Sequence, residues 1–140
     1  MTGFLVLVVT LAAAGAFGLL WHRRDGRLRA DPASDVLHAE VLASLGIKTG
    51  ERATLVQFSS AFCAPCRATR RILGEIADAV DGVAYVEVDA EKHLDAVRRL
   101  RILRTPTTLV LDAGGRIVVR ASGQPRKADV VAALGRVVPG

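Results

Sequence analysis

Gly3 to Trp21 runs for nineteen residues with Thr10 as its only ordinary polar side chain. Such a run can satisfy its backbone in an apolar medium only as a helix, and at 1.5 Å per residue it reaches roughly 28 Å, close to the hydrocarbon thickness of a bilayer. Trp21 then falls where an interfacial aromatic belongs, with His22-Arg23-Arg24 at headgroup depth. A cleaved signal peptide is the rival reading, and Ala14-Gly15-Ala16 imitates a cleavage site. That reading wants basic residues before the apolar run, whereas here they follow it and act as a stop signal. A retained transmembrane anchor over residues 1–22 is therefore expected. Arg23, Arg24, Arg27 and Arg29 flank its C-terminal end and no charged side chain precedes it. The positive-inside rule then places the rest of the chain in the cytoplasm. Ala14 and Gly18 form a small-xxx-small pair of the kind that packs two spans together, a pattern that also arises by chance in an Ala/Gly-rich helix.

The remaining residues, about 118, suffice for one domain with its own core. They hold all 19 basic and 14 acidic side chains of the protein, a formal charge of +5. An excess of that sign attracts nucleic acid or anionic lipid. One Trp, one Tyr and four Phe give no aromatic interleaving for base stacking, so membrane flank is the better account of the charge, with no nucleic-acid partner.

Residues 23–50 read as a juxtamembrane linker: the segment His22–Ser34 is charged, contains Gly26 and Pro32, and shows no sustained period. A short helix is expected within it, capped by Ser34 or Asp35, with Val36, Ala39, Leu42 and Ala43 on one face and Gly46 at its end. From Ala53 the signals sharpen into a domain over residues 51–140. Thr54–Phe58 is a short β-prone run suited to a strand buried on both faces. A helix from about Cys63 to Val80 has an apolar stripe of Ile72, Leu73, Ile76 and Val80 against a solvated face of Arg67, Arg71, Glu75 and Asp78. Val83–Val88 reads as a strand and Ala90–Leu100 as a helix. Thr107–Leu111 and Ile117–Ala121 form a hairpin around Asp112-Ala113-Gly114-Gly115. Val130, Val131, Leu134, Val137 and Val138 mark a last helix. Helices must cover both faces of such a sheet, so the class is α/β.

The chain has two cysteines, Cys63 and Cys66, placed between a strand and a helix. At a helix start, backbone N–H groups and the helix dipole stabilise a thiolate at the first position, and the second lies one turn in. Pro65 suits the first turn, where a missing N–H costs nothing, and Arg67, Arg70 and Arg71 add positive charge. Half of a zinc site would need two more ligands, and His22, His38 and His93 show no ligand spacing. A purely structural disulfide across so short a loop contributes little chain entropy. Redox use of the pair is the better reading.

Strand Leu55–Phe58, then Phe62-Cys63-Ala64-Pro65-Cys66-Arg67, Val86-Glu87-Val88-Asp89, Arg104-Thr105-Pro106-Thr107, the Gly114-Gly115 hairpin and Gly123 together resemble the thioredoxin family over about residues 53–138. The resemblance implies a thioredoxin-like fold, a central mixed β-sheet flanked by helices. It implies a Cys63–Cys66 disulfide in the oxidised form, with Cys63 as the attacking nucleophile and Cys66 as the resolving thiol. Pro106 would be cis and packed on the disulfide, and Thr105 would offer its backbone to the substrate as an added strand.

Three departures stand out. Ala64 replaces the usual Gly of the motif, and Phe62 replaces the usual Trp, which would keep an apolar lid without an indole N–H. Gln57 stands where many members carry a buried Asp that moves the proton of the resolving thiol, and Tyr85 replaces its partner Lys. A neutral pair removes two buried charges and also the proton acceptor, so slow resolution of the mixed disulfide is expected. The Pro that kinks the family's active-site helix is absent, with Arg71 near that position. No nucleotide or flavin motif is present and no cofactor is implied; electrons would come from another protein or a small thiol. The sequence thus points to a membrane-tethered protein-disulfide oxidoreductase, acting chiefly as a reductase on protein disulfides. The alternatives are an anchored extracytoplasmic member serving cytochrome maturation or disulfide repair, and a non-catalytic binding module that uses the groove around Thr105-Pro106.

Overall fold

Ala53–Ser59 is buried along its whole length, so this strand must be covered on both faces, and the rest of the fold supplies the two covers. The computed structural model describes residues 1–30 and 35–138. In chain order the elements are α1 (Thr2–Arg24), β1 (Leu28–Ala30), α2 (Asp35–Ser44), β2 (Ala53–Ser59), α3 (Ala64–Ala79), β3 (Val83–Asp89), α4 (Leu94–Arg99), β4 (Thr107–Asp112), β5 (Ile117–Ser122) and α5 (Lys127–Val137). The sheet order is β1-β5-β4-β2-β3. β2 and β3 run parallel and the other neighbours antiparallel. It is the mixed α/β sheet that the resemblance implies.

Strand alternation sorts the core into two. Val56, Phe58, Val88, Leu109, Leu111 and Ile117 point to one face and meet Val41, Leu42, Ala96 and Leu100 of α2, α4 and its C-cap. Leu55, Val110 and Val119 point to the other, against Leu73 and Ile76 of α3 and Val130 and Leu134 of α5. A fully buried Leu or Phe contributes about 1.5–3 kcal/mol, so the two clusters account for the amphipathic pattern of α3 and α5.

Several elements differ in detail from the sequence expectations. The segment read as linker carries an edge strand: Leu28–Ala30 pairs with β5 from Leu28↔Ala121 to Ala30↔Val119. Three residues with one arginine at the centre are too short and too polar to announce a strand, and only the waiting edge of β5 makes them one. Val41 and Leu42 of the short helix are core residues, and Gly46 (φ +65°) ends that helix with its N–H on the Ala43 carbonyl at 3.0 Å. Ser34 lies outside the described residues. The helix expected from Ala90 starts only at Leu94, because the Asp89 carboxylate accepts the Glu91 N–H at 3.0 Å and holds a turn there. In α5 the buried set is Val130, Ala133 and Leu134; Val131 is half exposed.

α1 is 23 residues long and none of them is buried. Its only ordinary polar side chain within the apolar run, Thr10, returns its hydroxyl to the Val6 carbonyl at 2.8 Å, so nothing on that stretch asks for water. Among the described residues it is the one helix long and apolar enough to cross a membrane, a property that a signal sequence shares.

Candidate active site

Cys63 is the N-cap of α3, with extended backbone (φ −119°, ψ 96°), and Pro65 sits in the first turn. The Cys63 Sγ accepts the Cys66 backbone N–H at 3.2 Å, so the sulfur lies where the helix concentrates its unpaired donors. No acidic side chain occupies that first turn. The two cysteines are joined as a disulfide with Cα atoms 5.2 Å apart. Both cysteines are buried, Cys63 at 8% exposure less completely than Cys66 at 2%. Phe62 does not form the expected lid: its ring is fully exposed and covers neither sulfur.

The second wall of the site is the segment before β4. Thr105–Pro106 is a cis peptide, and Pro106 is buried. The hydroxyls of Ser60 and Thr105 share a hydrogen bond of 2.9 Å, which ties the loop after β2 to this segment. Thr107 Oγ1 donates to the Arg104 carbonyl at 2.7 Å, and Gly123 N–H donates to the Pro106 carbonyl at 2.7 Å. The carbonyls on either side of Thr105 are therefore occupied. The backbone N–H and C=O of Thr105 itself have no hydrogen-bond partner among the described residues.

Gln57 is wholly buried behind the disulfide. Its Nε2 donates to the Cys66 carbonyl and to Ser59 Oγ, both at 2.9 Å, and its Oε1 accepts the Tyr85 hydroxyl at 2.9 Å. The amide is thus fully used, and it addresses the backbone of the second cysteine rather than its sulfur. Burial, with the nearby Glu87 charge, pushes the Tyr85 phenol up to about 12, so Tyr85 stays a neutral donor to Gln57 throughout the physiological range. Glu87 caps the outer end of this network. Burial pushes its carboxyl up, but hydrogen bonds from Arg70 (2.7 Å) and Ser59 outweigh that and hold it below the usual range. Arg67 and Arg71 are exposed.

Sequence reasoning named Arg104 within its motif but missed its pairing with Asp25. Arg104 donates to the Ser122 carbonyl at 2.8 Å and forms an ion pair with Asp25, the C-cap of α1. Gly123 (φ +95°) makes room for this pair: a Cβ there would meet Asp25 Oδ1 at 2.4 Å and Arg104 Nη2 at 2.9 Å. Gly123→Ala is expected to destabilise the protein by about 2 kcal/mol or more, since it adds backbone strain to the clash. Denaturant titration checks this; an unchanged midpoint would mean that the pair is dispensable. The signal in the sequence was the glycine alone, because Asp25 lies some hundred positions away in the chain.

A thioredoxin family model matches residues 41–136. The chain is 32% identical over 90 residues to a thioredoxin of Alicyclobacillus acidocaldarius, covering 64% of this chain and 85% of that one. To a thioredoxin of Mycobacterium tuberculosis it is 28% identical over 94 residues, 66% of this chain and 80% of the relative. It spans only 11% of human thioredoxin domain-containing protein 2, with 35% identity over 60 residues. Among solved structures, reduced thioredoxin pre-protein of Schistosoma mansoni superposes with a TM-score of 0.59 at 24% identity, covering 69% of this chain and 90% of the other. Fasciola hepatica thioredoxin gives 0.57 at 22%, with the same coverages. At these identities the two structures speak for the fold.

Proposed function

The chain belongs to the thioredoxin family, and on that premise we propose that it is a membrane-tethered thiol–disulfide oxidoreductase that chiefly reduces protein disulfides. The observation that carries the reading is Cys63 itself. It is the N-cap of α3, accepts the Cys66 N–H and is the more exposed of the two cysteines, and its motif neighbour Pro65 lines a groove together with a strand-ready Thr105.

In the reduced state the Cys63 thiolate attacks one sulfur of a substrate disulfide and expels the other as a thiolate, forming a mixed disulfide. The substrate chain pairs with the Thr105 backbone as an added strand, beside Pro106. Cys66, as a thiolate, then attacks the Cys63 sulfur and releases the second substrate thiolate, leaving the Cys63–Cys66 disulfide. Two electrons pass to the substrate, and a reductant protein or a small thiol restores the dithiol. Gln57 holds the Cys66 carbonyl and brings no base to its thiol, so resolution is the slow step.

Domain limits follow the same reading: an anchor over residues 1–22, a connecting segment over 23–50 that contributes β1 and α2 to the fold, and the catalytic domain over 51–140. The four arginines after Trp21 favour a cytoplasmic domain, where thiol poise drives reduction. An extracytoplasmic placement keeps the chemistry and reverses the environment; alkaline phosphatase and fluorescent-protein fusions to the C-terminus separate the two.

A Cys66→Ser chain tests the chemistry directly. It is expected to accumulate mixed disulfides through Cys63 that dithiothreitol dissolves. A chain that captures no partner covalently, yet still binds proteins through the Thr105–Pro106 groove, would be a binding module and would overturn the proposal.

A further inference from the structure

The end of α1 is built into the active site rather than strung from it. Asp25 caps the helix and pairs with Arg104, two positions before Pro106. Gly26 N–H donates to the Ser122 carbonyl at 2.9 Å, and a Cβ on Gly26 would sit 1.9 Å from the Gln124 carbonyl oxygen. β1 begins at Leu28 and enters the sheet beside β5. Only Gly26 and Arg27 separate the ion pair from the strand.

One groove of about 1020 Å³ records the consequence. Its walls include His22 and Arg23 at the end of α1, and Pro65, Thr105 and Pro106 of the redox site. Arg27 lines it too, and neither Arg23 nor Arg27 pairs with an acidic side chain among the described residues. A second hollow, about 440 Å³, continues the basic surface past Trp21, Arg24, Arg29 and the almost fully exposed Leu103. Trp21 precedes Asp25 by only ~6 Å along the helix axis. If α1 spans the bilayer with Trp21 at the interface, the mouth of the redox groove lies at headgroup depth.

We infer that the substrate is a disulfide in the juxtamembrane segment of another integral membrane protein, which enters the groove as an extended chain emerging beside α1. This rests on the proposed redox function and on α1 as a retained span. A chain that leaves the bilayer next to α1 meets Thr105, Pro106 and the Pro65 turn of the redox motif directly. A disulfide held far from the surface meets a domain that α1 cannot lift. The unpaired arginines complement acidic residues that flank such a cysteine.

The test uses the full chain, reconstituted with single-span reporters in vesicles of mixed phosphatidylcholine and anionic phosphatidylglycerol, with dithiothreitol as reductant. One reporter carries its disulfide about five residues beyond its span, roughly 17 Å at full extension. The other carries it at the end of a rigid helical spacer of about thirty residues, roughly 45 Å. The proximal disulfide is expected to be reduced at least about tenfold faster, a difference of ~1.4 kcal/mol in barrier. Inserting about twenty Gly/Ser residues between Arg24 and Asp25, an average reach of ~25 Å, keeps the Asp25–Arg104 pair and should bring the two rates together. Equal rates with the native chain, or a preference that survives the insertion, would overturn the inference. So would reduction of soluble insulin with neither reporter touched. Loss of insulin reduction as well means that the redox proposal has failed, and extraction of the chain by carbonate means that the anchor has; either result removes the inference with it.

Discussion

In the Cys63→Ser chain, dithiothreitol-driven reduction of insulin disulfides falls to the uncatalysed background. A serine hydroxyl is not ionised near neutral pH and forms no mixed disulfide, so the covalent route closes entirely rather than slowing. The loss is not a folding effect. Cys63 is an N-cap whose sulfur accepts the Cys66 N–H, and serine is among the residues best suited to that place. Unfolding measured under reducing conditions should therefore show stability unchanged or slightly raised. Insulin reduction that persists in this chain would remove Cys63 from the mechanism. Cys66→Ser makes the necessary contrast, since it keeps the attack and loses the release.

The second large effect is expected from Gln57→Glu. Glutamate matches glutamine in shape, so it reaches Ser59, Tyr85 and the Cys66 carbonyl without a cavity, where the shorter aspartate would not. Its ionised form sets a carboxylate against the Cys66 carbonyl oxygen, at a site with no exposure to solvent. Both effects favour the protonated acid and raise its folded-state pKa to roughly 7, against about 4.3 unfolded. The sign follows from linkage: below about pH 4 both states are protonated, and the variant differs from the parent only by the one donor that a carboxylic acid lacks relative to the amide. As pH rises the unfolded chain ionises first, and stability declines until the folded pKa is passed. A gap of about 2–3 pH units between the folded and unfolded chains corresponds to about 3–4 kcal/mol lost by pH 8. Urea titrations at about pH 4, 6 and 8 measure this; a flat difference across that range would contradict the network around Gln57. The same carboxylate brings a base beside Cys66, so mixed-disulfide resolution should quicken as pH passes through its pKa. An unchanged resolution rate between about pH 6 and 9 would show that proton transfer at position 57 does not limit release.

Much of the site could be read along the chain because its parts are local. Cys63 and Cys66 are three residues apart, and the helix that follows them announces itself by the stripe Ile72, Leu73, Ile76 and Val80. Gln57 and Tyr85 could be suspected as partners from the family resemblance. Their hydrogen bond depends on the register Leu55↔Tyr85 between parallel strands, and register is a property of packing. Phe62 shows the reverse case. The family resemblance suggested an apolar cover there, but its loop turns it outward and leaves it fully exposed.

By itself the sequence determined the long apolar helix, the α/β class, the alternation that sends Leu55 and Val56 to opposite cores, and the redox pair at a helix start. Each follows from residues within a few turns or strand steps of one another, where periodicity and capping chemistry act. Tertiary structure alone decided that Leu28–Ala30 would be a strand, that Asp25 would meet Arg104 in the space left by Gly123, and that the end of α1 would wall the redox groove. Those contacts join positions far apart in the chain, and no local pattern specifies them. They form because β5 offers an unpaired edge and because the Asp25 carboxylate, brought there by that pairing, finds the Arg104 guanidinium in reach.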